Sequence, residues 1–304
     1  MIVCAGSIAF DTTRTPFGTA ERVLGGSASY FSLAASLFTQ VSVVSAVGGD
    51  FPQSYWQRLE KRGIDLEGVQ RIPGEKTFFF DSSFSHDLNA RKVNKTETNC
   101  LGKISPKLPA GLQGKEKMLF LSPLEPALQA KIIESAGSTS LCAMDTITLF
   151  VENSAPKVRE LIGKADGLFV NEDEARMLEG TASIVKAGFA LLEQGPQFVV
   201  IKKGEHGAIL FHEGRAYPFP AFPLEEVVDP TGAGDAFAGG VIGLLAKKGA
   251  TRENITPKLL RRAVAYGIVT GSLAVEEFST KKLEEIDFQD VEARFKQYCE
   301  MLKF

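Results

Sequence analysis

Short apolar runs alternate with segments of helical periodicity along most of the chain, and this alternation constrains the fold more than any other feature. IVCAGS at 2–7 and VSVVSAV at 41–47 are apolar and strand-like. Between them, SASYFSLAASLF at 27–38 repeats apolar residues at helical spacing. The same order returns later, with GLFVN at 167–171 and FVVIKK at 198–203 separated by a helical segment. This alternation predicts an α/β fold with a doubly wound, mainly parallel sheet and helices on both faces.

Two polar, turn-rich segments interrupt the alternation, at about residues 9–24 and 74–100. The second contains TFFFDSSF, with phenylalanines on both faces of a strand, followed by the polar HDLNARKVNKTETN. We interpret both segments as hairpins that form a small β lid over the edge of the main sheet. A pair of ordinary surface hairpins is the alternative. Because there is no internal repeat and no low-complexity linker, we predict one domain over residues 1–304 that carries this lid.

The composition is that of an ordinary globular protein, with 44% hydrophobic and 23% charged residues. A net charge of −3 with scattered lysines and arginines gives no sign of a nucleic-acid partner. No apolar stretch approaches the length of a membrane span, and the N-terminus shows no targeting pattern. The four cysteines show no CxxC spacing, and we expect buried thiols at Cys4, Cys142 and Cys299. We therefore predict a cytoplasmic protein.

The stretch VVDPTGAGDAFAGGVIGLL at 227–245 combines many glycines with the start of a helix. Pro230 favours an extended chain before the glycines. Gly232 and Gly234 permit positive φ angles and can bring backbone N–H groups into one concave site. The first N–H groups of the helix have no partner inside it and lie at the positive end of its dipole. The stretch therefore predicts a site for a phosphate or for a developing negative charge.

Asp235 lies in the first turn of this predicted helix. In the purely structural interpretation, its carboxylate interacts with the positive end of the helix dipole and stabilises the helix by about 0.3 kcal/mol or somewhat more. That leaves Gly239 and Gly240 unexplained, because each costs a helix about 1 kcal/mol relative to alanine. In the functional interpretation, the N–H groups hold a transferring phosphoryl group while Asp235 accepts the proton of an incoming hydroxyl. With an ordinary pKa of about 4, Asp235 is expected to be ionised at neutral pH.

Six stretches of the chain together carry a resemblance to a known enzyme family. They are GSIAFD with Asp11, GGSASYFSLAAS at 25–36, VGGDFP with Asp50, NEDEA at 171–175, KKGEHGA at 202–208 and DPTGAGDAFAGG at 229–240. Over nearly its whole length the sequence closely resembles the PfkB (ribokinase-like) family of carbohydrate and nucleoside kinases. The resemblance implies a ribokinase-like fold with a β lid, and transfer of the γ-phosphoryl group of ATP to a hydroxyl group.

By matching position, the resemblance implies roles for individual residues at the nucleotide. Asp235 would be the catalytic base. The anion hole would consist of the backbone N–H groups of Gly232, Ala233 and Gly234. Asn171 and Glu174 would organise Mg²⁺ through water, and their alternative role is helix capping, since Glu174 is the third residue after Asn171. The other nucleotide-binding residues implied are Lys202, Gly204, Gly207 and Thr231.

The acceptor substrate is where the sequence departs most from the family. The residues that the comparison with the family suggests for it are Asp11, Gly25, Gly26, Ser27 and Tyr30, and the lid adds Asn89 and Arg91, although HDLNAR at 86–91 matches no motif of the family. Tyr30 replaces an asparagine that is common in the family, and its ring can stack on a sugar or base or can fill the core. Asn89 and Arg91 can reach a substrate from the lid or can be solvated.

We predict a Mg²⁺- and ATP-dependent kinase that phosphorylates a sugar or a related polyol. A nucleoside kinase of the adenosine-kinase type is the first alternative, because Tyr30 and the lid phenylalanines Phe78, Phe79, Phe80 and Phe84 can enclose a base. A catalytically weak ligand-binding protein is the second alternative, although the intact Asp235 and glycines argue against it. Activation by a monovalent cation such as K⁺ and a homodimer formed through the lid are further expectations.

Overall fold

The computed structural model describes residues 1–88, 90–112 and 114–303, and its main sheet forms where the sequence has its apolar runs. Ten strands make up this sheet in the described residues: β1 (Ile2–Ala5), β4 (Val41–Gly48), β5 (Ile64–Asp65), β6 (Val69–Ile72), β9 (Met118–Leu121), β10 (Leu141–Asp145), β11 (Gly167–Asn171), β12 (Phe198–Lys202), β13 (Ala208–His212) and β14 (Arg215–Phe219). Their order is β14-β13-β12-β11-β10-β9-β1-β4-β5, and β6 also pairs with β4. All pairs are parallel except β12–β13 and β13–β14. Ligands of such sheets bind beyond the carboxyl ends of the parallel strands.

Helices cover both faces of the main sheet. They are α1 (Ser27–Ser36), α2 (Gln53–Lys61), α3 (Pro126–Ala136), α4 (Thr148–Ile162), α5 (Glu172–Glu179), α6 (Ile184–Leu192), α7 (Ala233–Lys247), α8 (Pro257–Ala274), α9 (Lys281–Glu285) and α10 (Phe288–Met301). In β1, Ile2 and Cys4 belong to the buried core shared with α1, α7, α8 and α10, whereas Val3 and Ala5 belong to the core shared with α3 to α6. The predicted doubly wound α/β fold is confirmed.

A second, smaller sheet has the order β3-β2-β7-β8. Its strands are β2 (Ala9–Thr15), β3 (Gly18–Gly25), β7 (Phe78–Phe84) and β8 (Arg91–Glu97). The first two strands span 9–25 and the last two span 78–97, so they form the hairpins that the sequence predicts in the segments at about 9–24 and 74–100. The strands β2 and β7 join the two hairpins in parallel, and Asp11 is paired with Phe80. The action of this small sheet as a lid stays a prediction.

Helix α7 packs against α1 and α8 at two of its glycines. A Cβ atom at Gly239 would lie 2.5 Å from the carbonyl oxygen of Phe31 in α1, and one at Gly240 would overlap Thr270 Oγ1 in α8. Neighbouring helices therefore approach α7 more closely than any side chain allows. This close approach explains why Gly239 and Gly240 occur inside the helix although glycine has a low helix propensity.

The cysteines are free thiols, and Cys4, Cys100 and Cys142 are buried. Cys299 is only partly buried, so the expectation of a buried thiol there is wrong. It lies near the end of α10, where one face of the last helix is open to solvent. Among the described residues, no helix has the length and apolar character needed to cross a membrane.

We expect Gly239→Ala to lower the free energy of unfolding by about 1–3 kcal/mol, because the added methyl group meets backbone atoms of α1. Helix propensity alone predicts the opposite change, a gain of about 1 kcal/mol. Denaturant unfolding measures the difference. The control is Gly111→Ala, since a Cβ there meets nothing within 4 Å. An alanine at 239 that leaves stability equal to or above that of the wild type would contradict this account of the α1–α7 contact.

Candidate active site

The turn before α7 has the backbone geometry that its glycines predict. Gly232 has φ 77° and ψ −1°, a left-handed conformation, and the helix begins at Ala233. The Ala233 N–H group donates to the Pro230 carbonyl oxygen at 3.3 Å. Within the described residues, the N–H groups of Gly232 and Gly234 donate to no backbone carbonyl oxygen. Two N–H groups are therefore available at the positive end of the helix dipole, whereas the third predicted member, Ala233, already has a partner.

Asp235 is partly buried in the first turn of α7. Its pKa is raised to about 7, chiefly by burial and then by the negative charge of Asp145, against the positive charges of Lys202 and Arg91. The expectation of an ordinary pKa is wrong, because the carboxyl group has lost much of its hydration and lies near a second carboxyl group. A carboxyl group that titrates near neutral pH is well suited to accept a proton from a hydroxyl.

Lys202 ends β12 and forms an ion pair with Asp145, the last residue of β10, with Nζ and Oδ2 2.5 Å apart. The Asp145 side chain is 1% exposed and that of Lys202 is 18% exposed, so Lys202 is no solvated surface charge. A Cβ atom at Gly234 would lie 3.3 Å from Lys202 Nζ, which places this ammonium beside the glycine turn. Asp145 is not among the site residues predicted from the sequence. Its signal was a carboxylate at the end of a predicted strand, where functional groups of parallel sheets gather.

Asn171 and Glu174 form a complete capping box at the start of α5. Asn171 Oδ1 accepts a hydrogen bond from the Glu174 N–H group at 2.8 Å, and Glu174 Oε2 accepts one from the Asn171 N–H group at 2.9 Å. Asn171 Nδ2 and Thr148 Oγ1 donate to Glu174 Oε1 at 2.7 and 3.3 Å. Burial raises the pKa of Glu174 to about 7. The capping interpretation is confirmed, and a role in organising Mg²⁺ stays a prediction.

Asp11 lies in β2 and is 4% exposed. Its Oδ2 accepts a hydrogen bond from the Gly26 N–H group at 3.3 Å, and a Cβ atom at Gly25 would overlap its carboxyl group. Burial raises the pKa of Asp11 to about 7, the Gly26 hydrogen bond opposes this, and the charges of Asp229 and Asp235 add to it. The two glycines therefore make room for a carboxyl group that lies within electrostatic range of Asp235.

The start of α1 carries the next two predicted substrate residues. Gly26 precedes the helix with φ 89°, and Ser27 Oγ lies 3.1 Å from Ser7 Oγ. Tyr30 is 1% exposed, and a Cβ atom at Gly232 would overlap its ring. This burial supports the interpretation of Tyr30 as a core residue and leaves no open ring face for a substrate.

Arg91 begins β8, and its guanidinium carbon lies 5.4 Å from the centre of the Phe80 ring. Its positive charge lowers the pKa of both Asp11 and Asp235, so it lies near both carboxyl groups. This placement supports the prediction that Arg91 can reach an acceptor substrate. Asn89 lies outside the described residues.

The remaining nucleotide candidates lie around the glycine turn and after β12. Thr231 donates its N–H group to Asp229 Oδ1 at 2.9 Å, and its Oγ1 lies 3.2 Å from Thr13 Oγ1 of the small sheet. Gly204 has φ 54°, and a Cβ atom built there would meet nothing within 4 Å. Gly207 has φ 82° and closely approaches the backbone of Phe219, so packing explains it. Their nucleotide contacts stay predictions.

Together these elements form an edge that can transfer an anionic group to an alcohol. Asp235 can accept a proton, while the N–H groups of Gly232 and Gly234 and the ammonium of Lys202 can stabilise negative charge beside it. Asp11, across from them on the small sheet, can hold the hydroxyl groups of an acceptor.

Comparison with known proteins agrees with this chemistry. Residues 2–286 match the pfkB family carbohydrate kinases. A cytidine kinase from Thermococcus kodakarensis is 32% identical over 248 residues, which cover 79% of this chain and 87% of the relative. A Burkholderia thailandensis nucleoside kinase solved with inosine has a TM-score of 0.80 at 21% identity, covering 98% of this chain and 97% of that one. A putative ribokinase II from E. coli solved with ATP and Mg²⁺ has a TM-score of 0.76 at 19% identity, covering 97% and 98%.

The family match spans nearly the whole chain, and the structural likeness extends to both sheets. The predicted kinase activity and ribokinase-like fold are thereby confirmed. The chain belongs to the pfkB family of carbohydrate kinases and is an ATP-dependent phosphotransferase whose acceptor is a hydroxyl group of a small molecule.

Proposed function

We propose that this kinase phosphorylates a hydroxyl group on the sugar ring of a nucleoside. The register of the small sheet carries the proposal, because Asp11 of β2 is paired with Phe80 of β7. Paired residues of neighbouring strands point to the same face, about 5 Å apart. An aromatic ring therefore lies beside the carboxylate that would hold the sugar, where a base attached to that sugar can stack.

Two further observations support a nucleoside acceptor. Phe80 is only partly buried, and Arg91 contacts its ring from the neighbouring strand. The relatives named above include a cytidine kinase and a nucleoside kinase solved with inosine. A free sugar or polyol is the second candidate, since the buried carboxylate of Asp11 can accept hydrogen bonds from two hydroxyl groups whether or not a base is attached.

The proposed mechanism assigns each group one task. Asp11 holds the sugar hydroxyl groups so that one of them points toward Asp235. The proton of the attacking hydroxyl passes to a carboxylate oxygen of Asp235. The N–H groups of Gly232 and Gly234, with the ammonium of Lys202, stabilise the negative charge on the phosphoryl group during transfer. ATP supplies that phosphoryl group and ADP leaves.

We further propose that ATP is used with Mg²⁺, and the charge balance near Lys202 supports this. The positive charge of Lys202 lowers the pKa of three carboxyl groups, those of Asp145, Glu174 and Asp235, so one ammonium is shared among three acids. No cluster of three metal-ligating side chains occurs in the part of the chain that the structure describes. Asp145 and Glu174 would therefore hold the ion through water, the usual arrangement for Mg²⁺ on phosphates. Bound Mg²⁺ neutralises phosphate charge.

Activation by a monovalent cation such as K⁺ is a further proposal, supported by Asp229. Its carboxylate is 1% exposed and accepts hydrogen bonds from the N–H groups of Thr231 and Ser279 at 2.9 and 3.2 Å. Burial raises its pKa, and it has no ion pair with any other described residue. A cation beside Asp229 would supply the opposite charge that this buried carboxylate lacks.

A cytoplasmic location and a homodimer formed through the small sheet complete the proposal. The four free thiols support a reducing compartment. The strand β8 is an edge of the small sheet, and its Val93 is 50% exposed. An exposed edge strand can pair with a second chain, which supports the dimer.

We expect Asp235→Asn to lower kcat by about 10²–10⁴, the usual contribution of a positioned base. ATP affinity should change little, because the anion hole is formed by backbone groups. In the wild type, kcat/KM should rise with pH through about 7, since only the carboxylate form of Asp235 accepts a proton. Steady-state ADP release across neutral pH measures both effects. A variant with near-normal turnover at saturating substrate would show that Asp235 only starts the helix.

We expect Asp11→Asn to weaken binding of the acceptor and to stabilise the fold at mildly alkaline pH. The pKa of Asp11 rises from an ordinary 3.8 to about 7 in the folded chain, so the folded state holds its proton more tightly than the unfolded state. The resulting stability is full below the unfolded-state value and is lost as pH rises through about 7. The variant should therefore melt at a higher temperature than the wild type at mildly alkaline pH, and this difference should shrink toward acidic pH.

The same variant should raise KM for the acceptor by at least about tenfold, with KM for ATP unchanged. Asp65→Asn, at an exposed position of β5, is the control and should change neither property. If Asp11→Asn and the wild type melt at the same temperature at alkaline pH, burial does not raise the pKa of Asp11. If the acceptor KM of the variant is normal, Asp11 does not bind the acceptor.

We expect Phe80→Leu to raise KM for the preferred nucleoside by about 5–10-fold through lost stacking, while turnover of the corresponding free sugar stays within about twofold. Phe79→Leu is the matched control, because Phe79 lies on the opposite face of β7 and contacts Arg22 instead. An ADP-release screen of nucleosides, sugars and polyols identifies the acceptor first. Phosphorylation of free sugars or polyols alone, insensitive to Phe80→Leu, would reject the nucleoside proposal and keep the kinase.

A further inference from the structure

Tyr30 lies directly against the glycine turn that begins α7. A Cβ atom built at Gly232 would overlap three ring carbons of Tyr30, namely Cγ, Cδ1 and Cδ2. The Cα atom of Gly232 is therefore packed on the tyrosine ring, and only glycine fits there. Because Tyr30 is 1% exposed, its ring is enclosed by protein and cannot also cover a substrate.

The glycine turn needs such support from a neighbour. Glycine adopts positive and negative φ angles about equally well, so the sequence alone does not hold Gly232 at φ 77°. The N–H groups of Gly232 and Gly234 are not fixed by hydrogen bonds to the described residues. On the side before the turn, the Thr231 N–H group is held by Asp229. The Tyr30 ring supplies the contact at Gly232 itself.

Contacts of helix α1 hold this ring in place. The Tyr30 N–H group donates to the Gly26 carbonyl oxygen at 3.3 Å, so the residue lies in the first turn of α1. One residue further, the Phe31 carbonyl oxygen meets the α7 backbone at Gly239. Two contacts between the same pair of helices therefore keep the ring and the turn in register.

The hydroxyl group of Tyr30 contributes differently from the ring. Its oxygen is buried and has no hydrogen-bond partner among the described residues. The contact with Gly232 is made by ring carbons and not by this oxygen. A phenylalanine can therefore replace the tyrosine at this contact, whereas a branched aliphatic side chain lacks the flat surface.

We propose that Tyr30 is a positioning residue of the phosphoryl-transfer site: its ring holds Gly232 in the left-handed conformation and thereby aims the N–H groups of Gly232 and Gly234. The inference rests on the proposed anion hole and goes beyond it by giving Tyr30 a part in turnover instead of acceptor binding. Preorganised donors matter because a displaced donor stabilises developing charge poorly.

Three variants test the proposal: Tyr30→Phe, Tyr30→Leu and Phe31→Leu. The last is the matched control, since Phe31 is the next residue of α1, is fully buried and stacks on Phe120 with ring centres 4.0 Å apart. Each variant is characterised by its melting temperature, by kcat and both KM values, and by amide hydrogen exchange of the peptide that contains residues 232–234.

Tyr30→Leu should lower kcat by about 10–100-fold, somewhat less than the loss of a complete anion-hole donor, with acceptor KM within about threefold. Within the 232–234 peptide, the Ala233 amide, whose hydrogen bond to Pro230 the turn holds, should exchange faster than in the wild type. Tyr30→Phe should keep kcat within about twofold and melt no lower than the wild type, because the hydroxyl it removes is unpaired. Phe31→Leu should lower the melting temperature with little change in kcat or in exchange at 232–234.

Unchanged exchange at 232–234 in Tyr30→Leu, or an equal loss of kcat in Phe31→Leu, would overturn the proposal. A rise in acceptor KM alone would also overturn it and return Tyr30 to the substrate site. Faster exchange with a normal kcat would support the contact between Tyr30 and Gly232 and would instead overturn the anion-hole assignment. The exchange measurement needs no substrate, so its outcome does not depend on which acceptor the enzyme uses.

Discussion

The backbone contact between α7 and α1 is the constraint on which the active site depends. Gly232 and Gly239 lie two helical turns apart and meet the Tyr30 ring and the Phe31 carbonyl oxygen, respectively. These contacts fix both the distance and the rotation of α7 against α1. The N-terminus of α7 consequently lies beside Lys202 at the carboxyl end of β12, where its dipole and N–H groups can act on an anion. The helix loses intrinsic propensity at its glycines, and the packing that they permit offsets this loss.

The buried carboxyl groups at this edge of the sheet destabilise the fold when no ligand is bound. Four carboxyl groups there, those of Asp11, Asp145, Glu174 and Asp235, all have raised pKa values because each is largely withdrawn from water. Lys202 and Arg91 compensate only part of this charge. Such an arrangement weakens a folded chain at neutral and alkaline pH, and the apolar cores on the two faces of the sheet must offset it. It also leaves Asp11 and Asp235, which form no ion pair with another described residue, able to bind hydroxyl groups or to take a proton.

The fold and the centre of the site could be predicted from the sequence because their signals are local. Strand and helix periodicity lies within a dozen residues, and the glycine turn with Asp235 is one continuous stretch. The parts that the sequence does not predict depend on distant residues: Lys202 of β12 meets Asp145 of β10 across the intervening strand β11, and Tyr30 of α1 meets Gly232 at the start of α7. The raised pKa of Asp235 follows from burial, which no single stretch encodes. Asn171 and Glu174 were assigned two roles for the same reason, since a capping box and a water-bound metal site use the same side chains.

The proposed selection of a nucleoside depends on the strand register of the small sheet more than on composition. Phe78, Phe79 and Phe80 follow one another, so the sequence cannot say which ring shares a face with Asp11. The neighbouring Asp81 decides it: its carboxylate pairs with Arg14 of β2 and accepts a hydrogen bond from Asn94 of β8 at 2.9 Å. These contacts hold Asp81 on the face opposite to Asp11, and alternation along β7 then places Phe80 on the face of Asp11, where we propose that the acceptor binds. A slip by one residue would reverse both faces. A polar cluster outside the proposed site thereby fixes the register that places the Phe80 ring beside Asp11.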